Sequence, residues 1–145
     1  MLNPEHKLIP FSTSALPSGP WLVFAPHADD ETYGMAGSLL KASESGLETH
    51  LVVMTDGALG GDAANLVDLR SREIQEASKL LGAKSLDSWQ QPDRGLEFSE
   101  ELVLRIIQKI EDLGAASVFF PGPLELHPDH RVAALLVWAA IQNLS

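Results

Sequence analysis

Three of the five histidines in this 145-residue chain lie beside aspartates, in two short clusters. Pro26-His27-Ala28-Asp29-Asp30-Glu31 follows the apolar run WLVFA, and His127-Pro128-Asp129-His130 follows the run SVFFP and the loop GPLELH. A catalytic zinc centre takes three protein ligands and keeps a fourth position open for water. Two neutral imidazoles and one carboxylate leave the ion with a net charge of about +1, so it stays a Lewis acid and lowers the pKa of its water toward about 7. His27, Asp30 and His130 supply that set. Asp29 is then the spare carboxylate that deprotonation of the water requires. His127, three residues before His130 at the mouth of a helix, can hold a proton over the opposite face of the site. Asp129 can orient one of the imidazoles from behind.

Each cluster alone has an ordinary explanation. H-x-D-D in a loop is usually solvated polar surface, and a Pro at the first helical position, an Asp in the first turn and a capping His account for HPDH. Capping does not account for both together, with mixed ligands, a spare base and a spare histidine. The chain has no cysteine, which excludes a disulfide framework, a thiolate nucleophile and Cys-type zinc sites, so any metal must be held by His, Asp or Glu. A site of that composition also accepts Fe²⁺, Co²⁺ or Mn²⁺.

The elements that must position these clusters read as alternating strands and helices. Residues 1–20 hold four of the nine prolines and no periodicity, which predicts an extended arm, with the folded unit over residues 21–145. Trp21–Ala25 and Thr49–Met54 are continuous apolar runs, the pattern of strands covered on both faces. A polar loop and a helix over Met35–Glu44 separate them, and the glycine-rich TDGALGGD leaves the second strand. The spacing predicts the longest helix over Leu66–Leu81 with Gly82 beyond it, then a short strand over Ser85–Trp89 and a helix capped by Ser99 and ended by Gly114. Ser117–Pro121 reads as a further strand, and a buried helix runs from Pro128 to about Asn143. Such an order implies right-handed βαβ units, hence an α/β, Rossmann-like three-layer sandwich with a mostly parallel sheet. Ligands in such sheets sit outside the carboxyl ends of the strands, where both clusters fall.

Composition narrows the partners. Twenty acidic residues against ten basic ones give a formal charge of −10 without a basic run, which argues against nucleic acid and an anionic membrane surface. The longest strongly apolar stretch, Val132–Ile141, is ten residues long, whereas a membrane span needs about 20. The N-terminus lacks an uninterrupted apolar region and a small-residue cleavage site, so a cytoplasmic location is expected. TDGALGG lacks the lysine and glycine spacing of a phosphate loop. Trp89, Trp138 and Phe119 read as core side chains.

With these motifs in place, the chain resembles the LmbE-like or PIG-L zinc de-N-acetylases over about Trp21–Ile141. The markers are PHADDE, in which Ala28 stands where the family usually has proline, then TDGALGG, Arg70-x-x-Glu73 with Ala77 and Leu81-Gly82, and HPDHR at 127–131. The resemblance implies removal of acetyl from an N-acetylglucosamine-type amino sugar, a small-molecule substrate. It also implies His27, Asp30 and His130 as zinc ligands, Asp29 as general base and His127 as oxyanion stabiliser or acid. By the same resemblance Arg70, Asp93 and Arg94 bind the substrate; read without it, Arg70 is a solvated helix residue and Pro92-Asp93-Arg94-Gly95 an ordinary turn.

Members of that family usually continue beyond the HPDH helix, so the walls of the pocket are expected to be incomplete, with a homo-oligomer or an additional C-terminal domain supplying them. Two other functions fit the same residues: a zinc-dependent hydratase of an unsaturated acid, and a catalytically silent domain that binds metal or sugar.

Overall fold

The computed structural model describes residues 14–61 and 65–144. Most of the expected N-terminal arm, and Asp62 of the glycine-rich loop, lie outside the described residues. Four strands and four helices alternate among the described residues: β1 (Trp21–Ala25), α1 (Asp30–Glu44), β2 (Thr49–Thr55), α2 (Leu66–Leu80), β3 (Ser85–Gln91), α3 (Glu100–Leu113), β4 (Ser117–Phe119) and α4 (Pro128–Gln142). The strands form one parallel sheet in the order β3-β2-β1-β4. This is the expected α/β architecture, and strand order reverses between β1 and β4.

Every residue of β1 and β2 is buried because side chains alternate between two covered faces. Leu22, Phe24, Val52 and Met54 point toward α3 and α4, where Ile106, Leu136 and Val137 complete the larger core. Trp21, Val23 and Leu51 point the other way, onto Leu39 and Ala42 of α1. Ala25 and Val53 meet Ile74 of α2 on that same side.

The expected elements are present, with β2 and β3 one and two residues longer and β4 two residues shorter than expected, and there are three further differences. Helix α1 starts at Asp30, five residues earlier than the apolar pattern suggests, because acidic residues at a helix start are stabilised by its dipole and Asp29 O accepts from the N–H groups of Thr32 and Tyr33. The three helices α1, α2 and α4 are equally long at 15 residues, so α2 is not the longest. Trp138 is not core: it is 58% exposed, on the stripe Arg131, Leu135, Trp138 and Gln142 that α4 turns away from the sheet. Trp89 is core, with Phe24 edge-on beneath it and the Arg105 guanidinium 4.1 Å above its ring centre.

Left-handed glycines follow three helix ends, Gly46 with φ 74° after α1 and, compared next, Gly82 with φ 72° and Gly114 with φ 57°. A side chain is strained at either, but only Gly82 is also crowded: an added Cβ would stand 2.7 Å from Ser43 Cβ, whereas nothing lies within 4 Å at Gly114. Gly114→Ala is therefore expected to cost about 1 kcal/mol. Gly82→Ala should cost a further 1–3 kcal/mol or so, from overlap. Urea unfolding midpoints check this, and adding Ser43→Gly should bring Gly82→Ala back to the level of Gly114→Ala.

Candidate metal centre and its two chambers

The two His/Asp clusters meet at the carboxyl end of the sheet. His27 leaves β1 over an anchored carbonyl, since Pro26 O accepts from both the backbone N–H and the hydroxyl of Thr55 in β2 (2.9 and 2.8 Å). His127 caps α4, its Nδ1 accepting from Asp129 N–H at 3.3 Å, and Pro128 occupies the first turn where a missing N–H costs nothing. These two local structures bring the rings of His27, His127 and His130 within 4.5–5.4 Å of one another, centre to centre.

Asp30 Oδ2 lies 3.5 Å from His27 Nδ1 and 3.2 Å from His130 Nε2. Ligand atoms about 2.0–2.1 Å from a tetrahedral ion stand about 3.3 Å apart, which is close to the separation of Asp30 Oδ2 from each of these nitrogens. Behind His27, Nε2 donates to Asp129 Oδ2 at 3.1 Å, with Asp93 Oδ1 at 3.3 Å. A proton held on Nε2 leaves the Nδ1 lone pair free to face Asp30 and a cation.

Two groupings among the described residues bring donor atoms within 4.8 Å of one another, His27, His127 and His130, and His27, Asp93, His127 and Asp129, and Asp30 is in neither. In the second the carboxylates are already engaged. Asp129 is 1% exposed and accepts from Arg94 N–H at 2.7 Å and Leu96 N–H at 3.2 Å as well as from His27. Asp93 Oδ2 accepts from Leu59 N–H at 2.9 Å, and His127 Nδ1 holds Asp129 N–H. His27, Asp30 and His130 place one carboxylate oxygen between two histidine nitrogens, with Asp129 and Asp93 against the far nitrogen of His27.

Charge follows this division. Burial pushes the Asp30 carboxyl up, but the His27 side-chain and backbone hydrogen bonds and the His130 and His27 charges outweigh it, and its pKa falls below the usual range. Burial disfavours His27 protonation, yet Asp30, Asp129 and Asp93 together raise its pKa. Asp29 is raised, by burial and then by the charge of Asp30, with Arg70 pulling the other way. His127 is lowered by burial and by its histidine neighbours, which favours the neutral ring carrying its proton on Nε2, since Nδ1 is an acceptor.

The substrate-binding candidates come together. A 290 Å³ chamber is lined by His27, Asp29, Arg70, Asp93, Arg94 and His127. Arg70 Nη1 lies 3.8 Å from Asp29 Oδ2 and 3.6 Å from Glu73 Oε2, so it faces the site and not only solvent. Arg94 has φ 56°, a left-handed strain of about 1–2 kcal/mol that aims its N–H at Asp129. A larger cavity of 790 Å³ opens on the other side of Asp30 and His130, at the crevice between β1 and β4.

Two residues escaped the reading of the sequence. Asp56 Oδ1 accepts from Ala58 N–H and Asp93 N–H at 3.0 and 3.1 Å, tying the loop after β2 to the loop after β3. Its signal was the Asp-Gly at the strand exit. Glu31 is fully buried, and its pKa is raised by that burial; one oxygen accepts from the Thr32 hydroxyl and the other has no partner. Its position, one residue after Asp30 at the start of an amphipathic helix, was the only hint.

The geometry has relatives. The chain is 33% identical over 135 residues to the probable N-acetyl-alpha-D-glucosaminyl L-malate deacetylase 2 of Bacillus anthracis, covering 85% of this chain and 59% of that protein. It is 30% identical over 123 residues to the diacetylchitobiose deacetylase of Thermococcus kodakarensis, covering 79% and 46%. Among solved structures, the N,N'-diacetylchitobiose deacetylase of Pyrococcus horikoshii superposes with a TM-score of 0.80 at 32% identity, covering 84% of this chain and 49% of that one. The chain thus spans about half the length of the relatives it matches. The model of the PIG-L family, described as GlcNAc-PI de-N-acetylase, matches residues 22–141, and the chain belongs to that family.

Proposed function

We propose that the chain hydrolyses the N-acetyl amide of an N-acetylglucosamine-type amino sugar in a zinc-dependent reaction, in the cytoplasm. The observation that carries this is Asp30 Oδ2 set 3.2–3.5 Å from one nitrogen each of His27 and His130, with an uncommitted carboxylate, Asp29, beside it. The deacetylase names of the relatives support the reaction class. No helix among the described residues is long and apolar enough to cross a membrane.

A divalent ion held by His27, Asp30 and His130 supplies Lewis acidity, which acidifies a water and polarises a carbonyl. The chain's own groups do the rest. Asp29, with no hydrogen bond from the backbone to occupy it, takes the proton of the attacking water. His127 Nε2–H donates to the oxygen that gains charge as the acyl carbon becomes tetrahedral. A neutral ring does this without being an imidazolium, which refines the expectation of a protonated His127. Asp129 fixes the ring of His27 and does not touch substrate, so it is a positioning residue. Arg70, Asp93 and Arg94 give the hydroxyl-rich side of the substrate a polar wall. Where the sheet ends at β4, a second copy or a further domain closing the site belongs to the same proposal.

Three outcomes are expected. Zinc-loaded protein should release acetate from N-acetylglucosamine conjugates, lose that activity on chelation and regain it with zinc, and Asp29→Asn should lower kcat by about 10²–10⁴-fold. Inertness toward amides with turnover of an unsaturated acid would instead mean hydration, and bound zinc without any turnover a silent binding domain. Asp29 is active when ionised, and Arg70 lowers its pKa against burial. Arg70→Ala should therefore move the acidic limb of kcat/KM to higher pH, while Arg70→Lys largely restores it. Finally, Asp129→Asn should weaken zinc binding by about 10–100-fold in a chelator competition, with melting temperature measured alongside as a control.

A further inference from the structure

The 790 Å³ cavity shares Asp30 and His130 with the candidate metal centre but lies on the side away from Asp29, Arg70, Asp93, Arg94 and His127. Its walls differ from those of the smaller chamber: Met35, Val118, Phe119, Phe120 and Pro121 are apolar, Glu31 and Glu125 add carboxylates at its sides, and no lysine or arginine reaches it. Along α1, Asp30, Gly34 and Ser38 follow one another at four-residue spacing, so they form one line up the cavity wall. Both residues after Asp30 are small, and a Cβ at Gly34 would meet nothing within 4 Å. The line extends about 12 Å from the metal ligand.

An amide straddling the centre must put its two halves on opposite sides. The nitrogen half carries the hydroxyls of the sugar and needs polar partners, and Asp93 and both arginines line the smaller chamber. The acyl half then points past Asp30 and His130. A methyl group would leave most of the larger cavity empty, and apolar surface left against water forgoes its burial.

We infer that this cavity is an acyl-chain chamber, and that the preferred substrates are amino sugars carrying a linear N-acyl group longer than acetyl. The inference rests on the amide-hydrolase reading above. The reaction keeps its balance: the water oxygen bonds to the acyl carbon, the C–N bond breaks, and the products are a fatty carboxylate and the amine, which takes up a proton. Ser38 and Gly34 set how much chain fits.

Binding tests this independently of turnover. Calorimetry on the metal-free protein should show N-hexanoylglucosamine binding at least tenfold more tightly than N-acetylglucosamine, toward the three- to fourfold or so expected per buried methylene. Ser38→Phe and, as a second variant, Gly34→Leu should cut the hexanoyl-to-acetyl ratio by at least tenfold, and the kcat/KM ratio of the zinc-loaded enzyme should fall in parallel. Equal affinity for both ligands overturns the inference. So does a gain from lengthening the glycosidic substituent instead of the acyl group, if Ser38→Phe removes it, because the cavity then takes the aglycone. A hexanoyl preference in binding with no hydrolysis of either amide would retain the chamber and refute the amide-hydrolase reading.

Discussion

The buried carboxylate of Asp129 is the contact on which the rest of the site depends. It comes from the first turn of α4 and reaches His27 after β1 and the backbone N–H groups of Arg94 and Leu96 after β3. One side chain thus joins three loops that are far apart in sequence. An ionised carboxylate with 1% exposure is costly unless its lone pairs are filled, and here three donors fill them. The same bonds fix which nitrogen of His27 carries the proton, and so which one is left for a cation.

The sheet explains why the loops are close enough for this. Strands β3, β2, β1 and β4 run in parallel, so all four deliver their exit loops to one rim. The reversal of order between β1 and β4 opens a crevice there, as in other doubly wound sheets. His27, Asp29 and Asp30 enter from the β1 side and His127 and His130 from the β4 side. They divide the crevice into a chamber that carries both arginines and a more apolar one without them. A hydrolase for an amide with one polar and one apolar half needs such a division more than it needs a large pocket.

Much of this was readable from residue order. Continuous apolar runs such as WLVFA have few uses other than a strand covered twice, and Gly82 and Gly114 mark their helix ends through a conformation other residues avoid. That the two His/Asp clusters meet was readable because both follow strands that deliver their loops to one rim of a parallel sheet. Other features were not readable, each for a physical reason. Helix α1 begins at Asp30 through dipole and backbone contacts, which an apolar pattern does not record. Trp138 faces out because the orientation of α4 depends on α3 and the sheet, not on its own composition. The partners of Asp129 are backbone N–H groups, which every residue but proline possesses, so no spacing could announce Arg94 and Leu96.

In the proposed mechanism His27 and His130 share a metal with Asp30 while Asp129 stands behind His27. Anomalous diffraction at the zinc edge from crystals of the zinc-loaded protein should show one strong peak within about 2.0–2.2 Å of His27 Nδ1, Asp30 Oδ2 and His130 Nε2, with His27 Nε2 still against Asp129. A peak among His27, His127 and His130 without Asp30, or one coordinated by Asp93 and Asp129, would contradict it.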